Sequence, residues 1–136
     1  MTIVEDIRKN LSWLDVNAKS PNITDIVIVL NKLSIQAVTL GDLKSDAYDV
    51  MTDMEDDYKS SMADKVNELI KGGLGVAAAE RQAEADLKAK RNDWKQAEKI
   101  FQRMRTFLDR IDIVLDAHRQ RVSVEKQTGL KHMAGS

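Results

Sequence analysis

Apolar residues fall at Ile26, Leu30, Leu33, Ala37, Leu40, Ala47, Met51, Met54 and Tyr58, alternating steps of four and three with one interruption, at Lys44. That rhythm is a heptad seam, the stripe by which one helix packs along another. It resumes at Ala83 and Leu87 and continues through Trp94, Ala97, Phe101, Met104, Leu108, Ile111, Leu115, His118 and Val122, with Lys90 as its charged interruption. Ile100, Phe107 and Val114 widen this second stripe on one flank. A two-helix seam does not need that width, so the flank predicts a further partner and, through it, a homo-oligomer. Near the start, Thr2 and Glu5 have capping-box spacing, and Ile3, Ile7, Leu11 and Leu14 share one helix face. Ser20 with Pro21 in the first turn, or Asn22 one step later, suits the start of the second helix. The pattern predicts an all-α chain with helices over 2–15, 21–71 and 76–127, a turn at 72–75 and a flexible tail over 128–136. Within the second helix only Gly41 weakens the pattern, which makes it the candidate point for a kink.

The stretch "KGGLGVAAAE", residues 71–80, decides how the long helices relate. A dinucleotide fingerprint requires a strand before its glycines, and none is predicted. A helix-terminating glycine turn is the simpler reading. Folding back at Leu74 gives a long antiparallel, coiled-coil-like hairpin in which Met54 meets Trp94, Met51 meets Ala97, Ala47 meets Phe101, Leu40 meets Leu108, Ala37 meets Ile111, Leu33 meets Leu115 and Ile26 meets Val122. Lys90 then lies across from Tyr58 and Lys44 across from Met104, where long stems cover apolar surface and extend their heads to water. Asp42, Asp46, Asp49, Asp53 and Asp56 form an acidic stripe, and the same register sets it toward Arg91, Lys95, Lys99, Arg103 and Arg105.

Composition narrows the chemistry. The 136 residues suffice for one domain, and with 4% aromatic residues and a single proline the chain reads as helical rather than as a β-sandwich. The absence of cysteine removes disulfides, thiolate nucleophiles and zinc–thiolate sites. The longest apolar run, "IVIVL" at 26–30, is well short of the ~20 residues that span a bilayer. The opening "MTIVEDIRKN" lacks the pattern of a signal peptide, so a cytoplasmic protein without a membrane partner is expected. His118 lies on the seam, where a packing role outweighs catalysis. "SVEK" at 123–126 has the bare S-x-x-K spacing without companion motifs, and "DMEDD" at 53–57 lacks the glycine and ligand spacing of a calcium loop. No catalytic residue, metal ligand or cofactor is expected, and the chain does not read as an enzyme.

Charge is uneven. Residues 1–75 hold 8 Lys/Arg and 13 Asp/Glu, a balance of −5, and residues 76–136 hold 13 and 9, a balance of +4, which together make the overall −1. Bases without an expected acidic counterpart are Arg110, Arg119, Arg121, Lys126 and Lys131, with Arg8, Lys9 and Lys19 possible neighbours. They are the candidate phosphate contacts, since backbone binding scales with the number of phosphates neutralised.

The order of a short helix, a long helix, a glycine turn and then "AERQAEADLKAKRNDWKQAEKIFQRMRTFLDRIDIVLDAHRQRVSVEK" resembles the phage recombination mediators of the UvsY type over residues 23–127. The resemblance implies an oligomeric helical protein that binds single-stranded DNA and assists a recombinase in displacing single-strand-binding protein. That family carries a basic, tyrosine-containing segment before its glycine turn, where this chain reads "MADKVNELIKGG" with Lys65 and Lys71 as its bases. The expected function is a non-enzymatic, oligomeric single-stranded-DNA-binding accessory (mediator) protein of recombination or replication, and the alternative is a structural or adaptor oligomer that binds only protein.

Overall fold

The computed structural model describes residues 2–17 and 22–134, with side chains in the last helix through Ser123. The fold is all-α: α1 (Ile3–Val16), α2 (Ile23–Lys71), α3 (Val76–Asp86) and α4 (Lys88–Ala134), with no strand among the described residues. The α1 capping box forms as its spacing predicts, Glu5 N donating to Thr2 Oγ1 at 3.2 Å and Thr2 N to Glu5 Oε2 at 3.3 Å. At α2 the cap is Asn22, whose Oδ1 accepts from Asp25 N at 3.4 Å. Ser20, Pro21 and Lys19 lie outside the described residues.

The glycine stretch ends α2 in a Schellman arrangement. Gly73 has φ 103°, its N donates to Ile70 O at 3.0 Å, and Leu74 N donates to Leu69 O at 3.1 Å. Only a residue without Cβ enters that left-handed region at no steric cost. The predicted helix over 76–127 differs from the observed one at two points. It divides at Leu87 (φ −105°, ψ 16°), although Leu87 N still reaches Ala83 O at 2.9 Å and Arg91 N reaches Leu87 O at 3.0 Å. Helical backbone also passes the predicted boundary at 127 and continues to Ala134. Helix needs no apolar seam to persist, and the one glycine in the way, Gly129, costs only about 1 kcal/mol.

α2 is helical through Gly41. A Cβ built there meets nothing within 4 Å. Gly41→Ala is therefore expected to raise stability by about 0.4–1 kcal/mol, read as a higher urea midpoint.

The chain divides into two compact units, Met1–Asp42 with Thr106–Ser136, and Leu43–Arg105. Unit 1 holds the large aliphatic core: Ile7, Leu14, Ile26, Leu30, Leu33, Leu40, Ile111, Leu115 and Val122. Phe107, Val114 and Trp13 pack against this cluster, and Arg8 of α1 sits 5.8 Å from the centre of the Phe107 ring. Part of the wide flank that suggested a second chain is thus used inside this one, by α1.

In unit 2 the buried hydrophobic residues are small, Ala79, Ala83 and Ala97. Aromatic pairs flank them, Tyr58 with Trp94 at 5.6 Å between ring centres and Tyr48 with Phe101 at 5.4 Å. Lys90 pairs with Asp57 at 3.0 Å and donates to Ser61 Oγ at 3.1 Å, on either side of the Tyr58 it was expected to face.

One window of α2 bears on the expectation from apolar runs. Eighteen residues with mean hydropathy 1.5 are long and apolar enough, by length and composition, to cross a membrane, and 22% of the window is buried in the protein. Asp25 and Lys32 break the run without removing its hydrophobicity, because apolar residues occupy both the core side of α2 and the opposite side. Core helices of globular proteins pass the same test.

Candidate macromolecular interfaces

Of the cations singled out from sequence, Arg110, Arg119 and Arg121 belong to unit 1 and Lys65 and Lys71 to unit 2. Lys65 is engaged by acids, 3.7 Å from Asp86 and 3.9 Å from Glu68. Arg119 donates from Nη2 to Ser34 Oγ, and the two tie α4 to α2 inside unit 1. Arg119 also lines an open groove of about 250 Å³ with Val27, Leu30, Asn31, Val122 and Ser123. Arg121 is half-buried, with Nε and Nη2 covered. Arg110 and Lys71 are exposed, Lys71 in the last turn of α2, where a cation suits the helix dipole. The side chains of Lys126 and Lys131 lie outside the described residues.

The expected interlock of charged stripes is absent. Of Arg91, Lys95, Lys99, Arg103 and Arg105, only Lys95 has an ion pair among the described residues, with Glu98 of its own helix at 3.8 Å, and its Nζ lies 4.1 Å from the Trp94 ring centre. Asp46, Asp49, Asp53 and Asp56 are exposed and take no ion pair from α4. Helical geometry gives the reason. At about 100° per residue, these aspartates point roughly 110–170° away from the Ala47–Met51–Met54–Tyr58 stripe, and Lys88, Lys95, Lys99 and Arg103 point a similar angle away from the Trp94–Ala97–Phe101 stripe, with Arg91 at about 90°. Most of each row therefore lies away from the seam, and among the described residues no ion pair joins the two rows.

A feature missed from sequence is apolar. In unit 1 the outer side of α2 exposes Ile28 (48%), Ile35 (70%) and Val38 (69%), and α4 exposes Ile113 (71%). The seven-residue step from Ile28 to Ile35 was visible, but the stronger core rhythm masked it.

His118 is half-buried, and its pKa is held below the ordinary value, first by burial and then by Arg121, with Asp15 opposing. A base depressed in the folded state takes up its proton more readily when unfolded, so its stabilising effect is complete above the unfolded pKa near 6.5 and is lost as pH falls below it. The urea midpoint is expected to fall between about pH 7.5 and about pH 5.5, and His118→Gln is expected to flatten that slope. No group of three His, Asp or Glu side chains is placed to hold a metal among the described residues.

No protein-family model, curated protein or solved structure matches this chain. Its class is therefore defined by geometry: an all-helical protein with charged and apolar faces turned to solvent.

Proposed function

We propose that the protein is a non-enzymatic helical oligomer that acts by binding macromolecules, with a structural or adaptor role as the first reading. The carrying observation is the outer side of α2, where Ile28, Ile35 and Val38 stand exposed. A recurring apolar face of this kind marks association. The subunit would be an antiparallel helical hairpin, a reading supported by the pairs Tyr48–Phe101, Tyr58–Trp94, Asp57–Lys90 and Lys65–Asp86, in which the second partner's number falls as the first one's rises.

The second reading is a single-stranded-DNA-binding recombination or replication accessory, of the kind the UvsY-type resemblance implies. It is favoured by the row of α4 cations without acidic partners, Lys88, Arg91, Lys99 and Arg103. Few exposed aromatics accompany them for base stacking, so such binding would be electrostatic and strongly salt-dependent.

Light scattering over a concentration series, with fluorescent single-stranded DNA titrated in the same buffers, tests both. The first reading expects an oligomer at micromolar concentration with weak or no DNA binding. Tight, salt-sensitive preference for single strands would move the assignment to the second reading. A monomer, or a chain recovered on lipid vesicles instead of with itself, would overturn the first.

A further inference from the structure

We infer that a second copy of this chain docks on the first, the outer face of its α4 lying along the outer face of α2. The inference rests on the reading of the protein as a self-associating helical oligomer, and it assigns the two surfaces that meet.

In unit 2, Asp46, Asp49, Asp53 and Asp56 stand exposed on α2, and Lys88, Arg91, Lys99 and Arg103 stand exposed on α4, none of them in an ion pair among the described residues. The aspartates and Lys88, Lys99 and Arg103 face away from the seam where Tyr48 meets Phe101 and Tyr58 meets Trp94, and Arg91 lies to its side. One chain therefore never joins them, whereas two chains do. At about 1.5 Å per residue the aspartate row covers ~15 Å and the cation row from Lys88 to Arg103 covers ~22 Å, so the cations are long enough to span the aspartates. Run antiparallel, Asp56 meets Arg91, Asp49 meets Lys99 and Asp46 meets Arg103, each within one residue of a single register.

Unit 1, taken by itself, supplies an apolar counterpart. Ile35 of α2 and Ile113 of α4 are exposed by 70% and 71%. A parallel run of the charged rows brings Asp46 to Arg91, Asp53 to Lys99 and Asp56 to Arg103, so complementarity of the rows, not their direction, carries the contact. Exposed ion pairs contribute little singly, so the contact depends on several acting together along the rows.

The two surfaces differ, which makes the contact heterologous. Each copy keeps one free face of each kind, and the assembly either closes into a ring or extends. A nucleic-acid strand is the rival occupant of the α4 row, since its phosphates would engage the same cations. It leaves the aspartate row and the exposed isoleucines without a role.

Charge reversal on the full chain tests the contact. One variant carries Lys88→Glu, Arg91→Glu, Lys99→Glu and Arg103→Glu, and the other carries Asp46→Lys, Asp49→Lys, Asp53→Lys and Asp56→Lys. Each alone is expected to need roughly tenfold or more concentration to assemble, and an equimolar mixture is expected to assemble again, because every face then meets its opposite. Helicity by circular dichroism confirms folding. Should a variant fail to fold, wild-type assembly is followed from about 0.1 M to about 1 M salt, which shortens the screening length from ~10 Å to ~3 Å, and it is expected to weaken. Variants that assemble like wild type, a mixture that does not recover, or salt-independent assembly would overturn the contact while leaving the oligomer reading intact. An α4 variant that stays assembled but no longer binds single-stranded DNA would give the row to nucleic acid and overturn the contact too. Monomeric wild type would remove the oligomer reading itself.

Discussion

Leu33→Ala is expected to lower the stability of the folded chain by about 2–5 kcal/mol, the largest effect of any single truncation proposed for this protein. Leu33 has no exposed surface and belongs to a cluster drawn from three helices, with Ile7 and Leu14 of α1 and Ile111 and Leu115 of α4. Truncation removes its transfer free energy and leaves a cavity that three long helices close only by moving together. The urea midpoint of the far-UV signal reads the effect. Amide exchange adds a spatial reading, since protection should fall first in Met1–Asp42 and Thr106–Ser136, the unit that holds this cluster. A change below about 1 kcal/mol would show that the cluster is not the main source of stability.

The opposite change matters most in unit 2. Ala83→Leu is expected to cost about 1–3 kcal/mol through overpacking. Ala83 and Ala79 have no exposed surface, and both lie on α3, one turn apart. Burial this complete of so small a side chain means that the neighbouring backbone approaches closely, so a larger side chain must separate the elements or leave its rotamer well. The same substitution at Ala78, on the exposed side of α3, is the control and should be nearly neutral. Equal effects at positions 78 and 83 would refute close packing at α3. Because the buried hydrophobic residues of unit 2 are alanines, its local opening should also need less free energy than that of unit 1.

Several elements were legible from neighbours in sequence. The α1 capping box depends on a three-residue spacing and on nothing distant, and it forms as read. The glycine turn was legible because a left-handed residue at a helix end is a local requirement, and Gly73 meets it. The core stripe from Ile26 to Leu40 was legible because a helix turns periodicity into a face, and Ile26, Leu30, Leu33 and Leu40 are buried as that face requires. The step at Leu87 was not legible, as neither proline nor glycine marks it. The candidate site was legible only in part. The acidic and basic rows were read correctly as rows, but they were assigned to each other because opposite numbers in a register were taken for contacts. A residue's angle around its helix decides contact, and most of these residues point away from the seam.

What the sequence by itself determined is therefore whatever short range controls: helix content, caps, the turn, and which residues can share a face. The tertiary structure alone decided which faces are covered. Phe107 and Val114 pack in the core that α1 helps to build, Arg119 hydrogen-bonds Ser34, Lys65 lies between Asp86 and Glu68, and Ile35, Ile113 and the two charged rows are left to solvent. Periodicity ranks positions around a single helix axis. Burial depends on where every other helix comes to rest, and that follows from the summed packing of the whole chain.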